Sequence, residues 1–241
     1  MNKGSRRIVF AGLFAALVSS SVLAQGDLPN GEKLTGRAAE RAFTQVADQS
    51  FMAPAVKVLR QHYPDEYELL RETFFITARE EGVRRAIRGV SSDINEMTVS
   101  ARPRLATASE DDLVRLLESH VETLRMLRAE TPGACAAFAE WLTPPPNAPS
   151  DEASGKIFET IALALQAAAH NPEDGETYEI TSEDRALLRP DAENSRVFAR
   201  SGNRGRCQNF ITRFGTVLAQ PPARAARIYA TLLDEAFSKS K

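Results

Sequence analysis

The sequence predicts an all-α protein: a multi-helix globular domain of about nine or ten helices, fastened by one disulfide. Three observations carry that expectation. Apolar residues recur at helical spacing in almost every segment, and no stretch shows β alternation. Pro, Ser and Thr stand just before the periodic runs, where helices begin. The two cysteines share matched surroundings, Gly133-Ala134-Cys135-Ala136-Ala137-Phe138 and Gly205-Arg206-Cys207-Gln208-Asn209-Phe210.

The N-terminal 24 residues read as a leader rather than as part of the fold. Lys3, Arg6 and Arg7 precede an apolar run from Ile8 to Leu17, and small residues follow, ending Val22-Leu23-Ala24 before Gln25. A basic start, a short apolar stretch and small residues at positions −3 and −1 form a cleavable secretory signal. The run falls short of the roughly 20 apolar residues that a membrane span needs. The expectation is a signal peptide over residues 1–24 and a single all-helical domain over 25–241, periplasmic or, alternatively, secreted, and not membrane-spanning.

Each later segment then has its own signal. Ala39, Phe43, Val46 and Ala47 share one face of a helix from about Arg37 to Phe51, and Pro54 opens a short helix ending at His62. Pro64 and Asp65 begin the next, with Tyr67, Leu70, Phe74 and Ala78 inward. Gly82 hinges it to a helix striped by Val83, Ala86, Ile87, Val90, Ile94 and Met97, and Pro103 interrupts that pattern. Ser109-Glu110-Asp111-Asp112 resembles a capping box and starts a long helix with Leu113, Leu116, Leu117, Val121, Leu124 and Leu127 on one stripe. Thr131-Pro132 starts the first cysteine helix.

Three consecutive prolines and Pro149 make residues 143–155 a Pro-rich external connection. Residues 156–169 are apolar almost all round, as a central buried helix requires. Asn171-Pro172 stops it, an acidic loop follows, and Thr181 caps a short helix. The second cysteine helix runs from about Gly205 to Leu218, and Pro221-Pro222 initiates a last one carrying Ile228, Tyr229, Leu232, Leu233 and Phe237.

Composition narrows the function classes. The formal net charge is −2, and loss of Lys3, Arg6 and Arg7 with the leader takes it to about −5. A mildly acidic exported chain is a poor match for nucleic acid or anionic membranes, which favour positive surfaces. In an oxidising compartment Cys135 and Cys207 are expected to pair, since neither belongs to a Cys-x-x-Cys motif and two Cys without a nearby His make a poor zinc site.

Candidate sites are few. His120 falls within about 20° of the centre of the Leu113–Leu127 stripe, so it either packs in the core with one hydrogen-bond partner or lines a cleft as a general acid or base. His62 and His170 sit near helix ends, where a cation favours the dipole. Arg200, Arg204 and Arg206 flank a glycine-punctuated turn opening a helix; they are weak candidates for an anion site, or else meet the acidic loop. The carboxylates Glu173, Asp174, Glu176, Glu179, Glu183 and Asp184 lack the spacing of a calcium loop. No metal site and no cofactor are expected. The leading functional expectation is a non-enzymatic envelope protein that binds a protein partner or small ligand. The alternatives are an envelope-directed hydrolase using His120, or a structural subunit of an envelope assembly.

Overall fold

A computed structural model describes residues 33–142, 150–170, 178, 180–188 and 201–238 of the chain. Among these residues the structure contains ten helices and no strand. They are α1 (Gly36–Gln49), α2 (Ala53–His62), α3 (Pro64–Glu80), α4 (Val83–Leu105), α5 (Glu110–Glu130), α6 (Pro132–Trp141), α7 (Asp151–Ala169), α8 (Ser182–Leu187), α9 (Gly202–Leu218) and α10 (Pro222–Ser238). The leader expected over residues 1–24 and most of the expected Pro-rich connection lie outside the described residues.

Local chemistry explains the boundaries. Proline stands in the first turn of α2, α3 and α6, where its missing N–H removes a donor that has no helical partner. The side chains of Ser109, Ser150 and Thr181 accept hydrogen bonds from Asp112, Ala153 and Asp184 backbone N–H groups and so cap α5, α7 and α8. Only at Thr181 is the box reciprocal, with Asp184 accepting from the Thr181 N–H; at α5 the Asp112 carboxylate accepts from the Ser109 hydroxyl instead. Gly82, at φ 94° and ψ 160°, occupies backbone space closed to side-chain-bearing residues and turns α3 sharply into α4.

Two boundaries differ from the sequence expectation. Pro103 does not stop α4, which runs on to Leu105. In the last turn the ring removes one donor near the helix end, a cost that the buried neighbours Ala101 and Leu105 offset. Helix α7 begins at Asp151, so the external connection ends earlier than 155; Ser150 caps it, and Asp151 and Glu152 favour its positive N-terminus.

Helix α7 is the shared wall of the molecule. It packs against α2, α4 and α5, while α5 also contacts α6, α9 and α10. Ala162, Ala164, Ala167 and Ala168 are buried along α7, and their small side chains admit close neighbours on more than one side. A buried hydroxyl ladder joins α5 to α7: Ser119 Oγ and Thr160 Oγ1 lie 2.7 Å apart, and Thr123 Oγ1 and Thr160 Oγ1 2.9 Å apart. Buried side chains from α1 to α10 form one continuous apolar cluster. Cys135 of α6 and Cys207 of α9 are bonded across it, S–S 1.98 Å, Cα–Cα 5.5 Å, 72 residues apart in sequence. A loop that long contributes roughly 4 kcal/mol in the chain-entropy model.

Candidate functional site: a groove between α3 and α4

The phase of α3 decides where a site can form. Leu70, Phe74 and Ala78 point into the core, against Phe43 of α1 among others. Leu69 lies about 140° from the centre of that stripe at 100° per residue, which carries it out of the core. It is 62% exposed, and Ile76, two turns further along the same edge, is 50% exposed. Val99 of α4 is 45% exposed; these three are the exposed large apolar residues among the described residues, and all belong to α3 or α4.

Between the two helices runs a half-open groove of about 380 Å³. Leu69, Leu70 and Thr73 of α3 and Met97 and Ala101 of α4 form its apolar floor and edge. Tyr63 and Arg104 close one end, and the Tyr63 hydroxyl donates to the Leu165 carbonyl at 2.9 Å, tying that end to α7. Burial raises the pKa of Tyr63, so the phenol stays protonated and keeps this bond. Glu66, Asp93 and Glu96 line the groove as well. Asp93 is half-buried; burial above all, and the neighbouring Glu96 in addition, raise its pKa.

His120 lies elsewhere and is fully buried. Its ring packs against Phe138, Phe214 and Tyr229, with centroids 5.3, 5.0 and 6.1 Å away, and Nδ1 shares a 2.8 Å hydrogen bond with the Tyr229 hydroxyl. Burial drives its pKa down to about 3, against a smaller upward pull from the Phe138 backbone, so the imidazole is neutral at neutral pH. No carboxylate is among its hydrogen-bond partners, and Nε2 has none that meets hydrogen-bond geometry. This is the packed alternative of the two that the sequence allowed.

None of the remaining sequence candidates among the described residues lines the groove. Arg204 and Arg206 are exposed in the first turns of α9, and Arg200 lies outside the described residues. Of the acidic run, Glu173, Asp174, Glu176 and Glu179 lie outside the described residues, Glu183 reaches Arg224 at 3.9 Å, and the remaining member is Asp184. It is buried against α10, where Arg224 Nε donates at 2.7 Å and Arg227 donates through a terminal guanidinium nitrogen at 3.2 Å. His62 and His170 do sit at helix C-termini, and the fold also brings them together: their rings stand edge to face at 5.3 Å, and His170 Nδ1 lies 3.2 Å from Asp112 Oδ2. Burial alone would raise the Asp112 pKa, but hydrogen bonds with His170 and Ser109 and the charge of Arg115 bring it below its usual value. Among the described residues no three His, Cys, Asp or Glu side chains group closely enough to hold a metal ion. No helix among them is long and apolar enough to cross a membrane.

Compared with protein-family models, curated protein sequences and solved structures, the chain matches none of them. The site therefore rests on its own geometry. Sequence reasoning missed the groove because Met97 reads as the end of a core stripe and Leu69 stands outside the stripe of Tyr67, Leu70, Phe74 and Ala78. The available signal was the phase of Leu69, about 140° from the centre of the stripe formed by Leu70, Phe74 and Ala78.

Proposed function

We propose that this is a non-enzymatic protein of the cell envelope, exported by its N-terminal leader, that binds a partner through the α3–α4 groove. The observation that carries the reading is the groove itself. Water-exposed apolar edges beside an apolar floor favour association, because each buried Å² contributes about 25 cal/mol. Of the three exposed large apolar residues among the described residues, Leu69 lines the groove, and Ile76 and Val99 lie on the same two helices outside its lining. The leader motif and the net charge near −5 without it support an envelope location away from nucleic acid. A hydrolase built on His120 finds no comparable support, because a neutral imidazole sealed among three aromatic rings has no access to substrate.

Affinity capture after mild crosslinking in the native envelope fraction tests the proposal, using the full chain beside its Leu69→Lys variant. One reproducible partner, recovered with the parent chain and lost with Leu69→Lys, is the expected result. A partner retained equally by the variant rules out the groove as its seat. N-terminal sequencing of the exported chain reads the leader independently, with Gln25 expected as the first residue.

A further inference from the structure

We propose that the occupant of the α3–α4 groove is a cationic amphipathic helix of a partner protein, about three turns long; this rests on the groove-binding reading above. The dimensions set the length. From Tyr63 to Thr73 on α3, and from Asp93 to Arg104 on α4, the groove walls extend roughly 15 Å, the rise of about ten helical residues. A helix of that length presents apolar side chains at i, i+3 or i+4, and i+7, enough to span a floor of Leu70, Met97 and Ala101 and reach the Leu69 edge.

Charge sets the sign. Three carboxylates, Glu66, Asp93 and Glu96, line the groove against one cation, Arg104. On α3 and at its C-cap, Glu68 meets Arg71 at 3.2 Å, Glu80 meets Arg79 at 3.0 Å, and Glu81 meets Arg85 at 3.3 Å. Glu66, Asp93 and Glu96 form no salt bridge with a described residue. Asp93 is half-buried beside Glu96, and burial first and that neighbouring charge second raise its pKa. A Lys or Arg laid along the α4 wall relieves that repulsion and adds Coulombic attraction in a partly desolvated setting. An acidic or purely apolar occupant meets the same carboxylates without compensation.

The test uses a fluorescein-labelled 14-residue peptide with a leucine stripe flanked by lysines, its Lys→Glu counterpart, and a scrambled peptide of the first composition. Anisotropy titrations are run against the full chain, disulfide intact, at about 0.15 M salt, where long-range attraction is screened. The lysine peptide is expected to bind, with the glutamate and scrambled peptides at least about tenfold weaker. The double variant Asp93→Asn, Glu96→Gln is expected to weaken the lysine peptide about tenfold, and Leu69→Ser to weaken it as well. Glu72→Gln, on α3 outside the groove, is expected to leave it within about twofold. These positions are exposed or half-exposed, and circular dichroism melts verify the fold of each variant.

Binding of the scrambled or glutamate peptide as tightly as the lysine peptide overturns the proposal, as does indifference to the double variant or no peptide binding at all. In those cases a captured partner still lost on Leu69→Lys leaves the groove reading standing with a different occupant. A concentration-dependent dimer that sediments as two copies and is abolished by Leu69→Lys also overturns it, by assigning the groove to a second copy of this chain.

Discussion

His120 Nδ1 and the Tyr229 hydroxyl meet 2.8 Å apart across 109 residues of sequence, joining α5 to α10 inside the core. Both side chains are fully buried. The pair therefore acts as a polar pin in apolar surroundings, and its loss strands a buried nitrogen. Tyr229→Phe keeps the ring and its packing against Phe214 but removes the hydroxyl. A loss of about 1–3 kcal/mol in urea unfolding is expected. An unchanged midpoint would refute the pin.

The same histidine makes stability depend on pH. Its folded pKa, about 3, lies below the ordinary value of 6.5, so below pH 6.5 the unfolded chain takes up a proton that the folded chain refuses. The contribution is complete above pH 6.5 and declines as the pH falls towards 3, by about 1.4 kcal/mol per unit through most of that window. His120→Gln retains a hydrogen-bonding group without the titration. Unfolding free energies of parent and variant between pH 7 and 4.5 are expected to converge; parallel curves would contradict the assignment.

A second window belongs to Asp184. Burial alone would raise its pKa, but hydrogen bonds from Arg224 and from the Thr181 backbone and hydroxyl, with the charge of Arg227, hold it at about 2. A carboxylate depressed from 3.8 stabilises the fold above its unfolded pKa and loses that contribution, about 2 kcal/mol, as the pH falls from 4 to 2. Asp184→Asn removes one charge from a buried cluster and is expected to cost about 3 kcal/mol at pH 7. The deficit measured by thermal or urea unfolding narrows below pH 4. A deficit constant down to pH 2 would be inconsistent with the charge pairing.

Leu69 and Leu70 offer a matched pair on one helix. Leu70 is 1% exposed, and Leu70→Ala is expected to cost about 2–5 kcal/mol. Leu69→Ala, at 62% exposure, should stay within about 0.5 kcal/mol of the parent while weakening partner binding. Equal losses of stability would place Leu69 in the core and remove the groove's edge.

Much of the fold was legible in the sequence because helical periodicity reports the phase of each helix. The stripe from Leu113 to Leu127 reads correctly as an inward face with His120 at its centre. That Tyr229 supplies its partner was not legible, because periodicity carries no information about which helix lies opposite. The cysteine pair was legible, since two cysteines in matched helical surroundings, outside any Cys-x-x-Cys or metal-binding spacing, point to each other. Pro103 misled because local chemistry names a helix breaker, whereas packing at Leu105 outweighs one lost donor. The groove and the clamp on Asp184 are tertiary: each needs two helices brought side by side, and no spacing within one segment encodes that.

The bond between Cys135 and Cys207 also changes what cleavage can do. Helices α7 and α8 lie on the arc of chain that it closes. A protease that nicks the backbone anywhere on that arc opens the ring without dividing the molecule. The two pieces migrate as one species until a thiol reductant is added, and the α3–α4 groove, wholly upstream of Cys135, remains on an uninterrupted stretch of backbone.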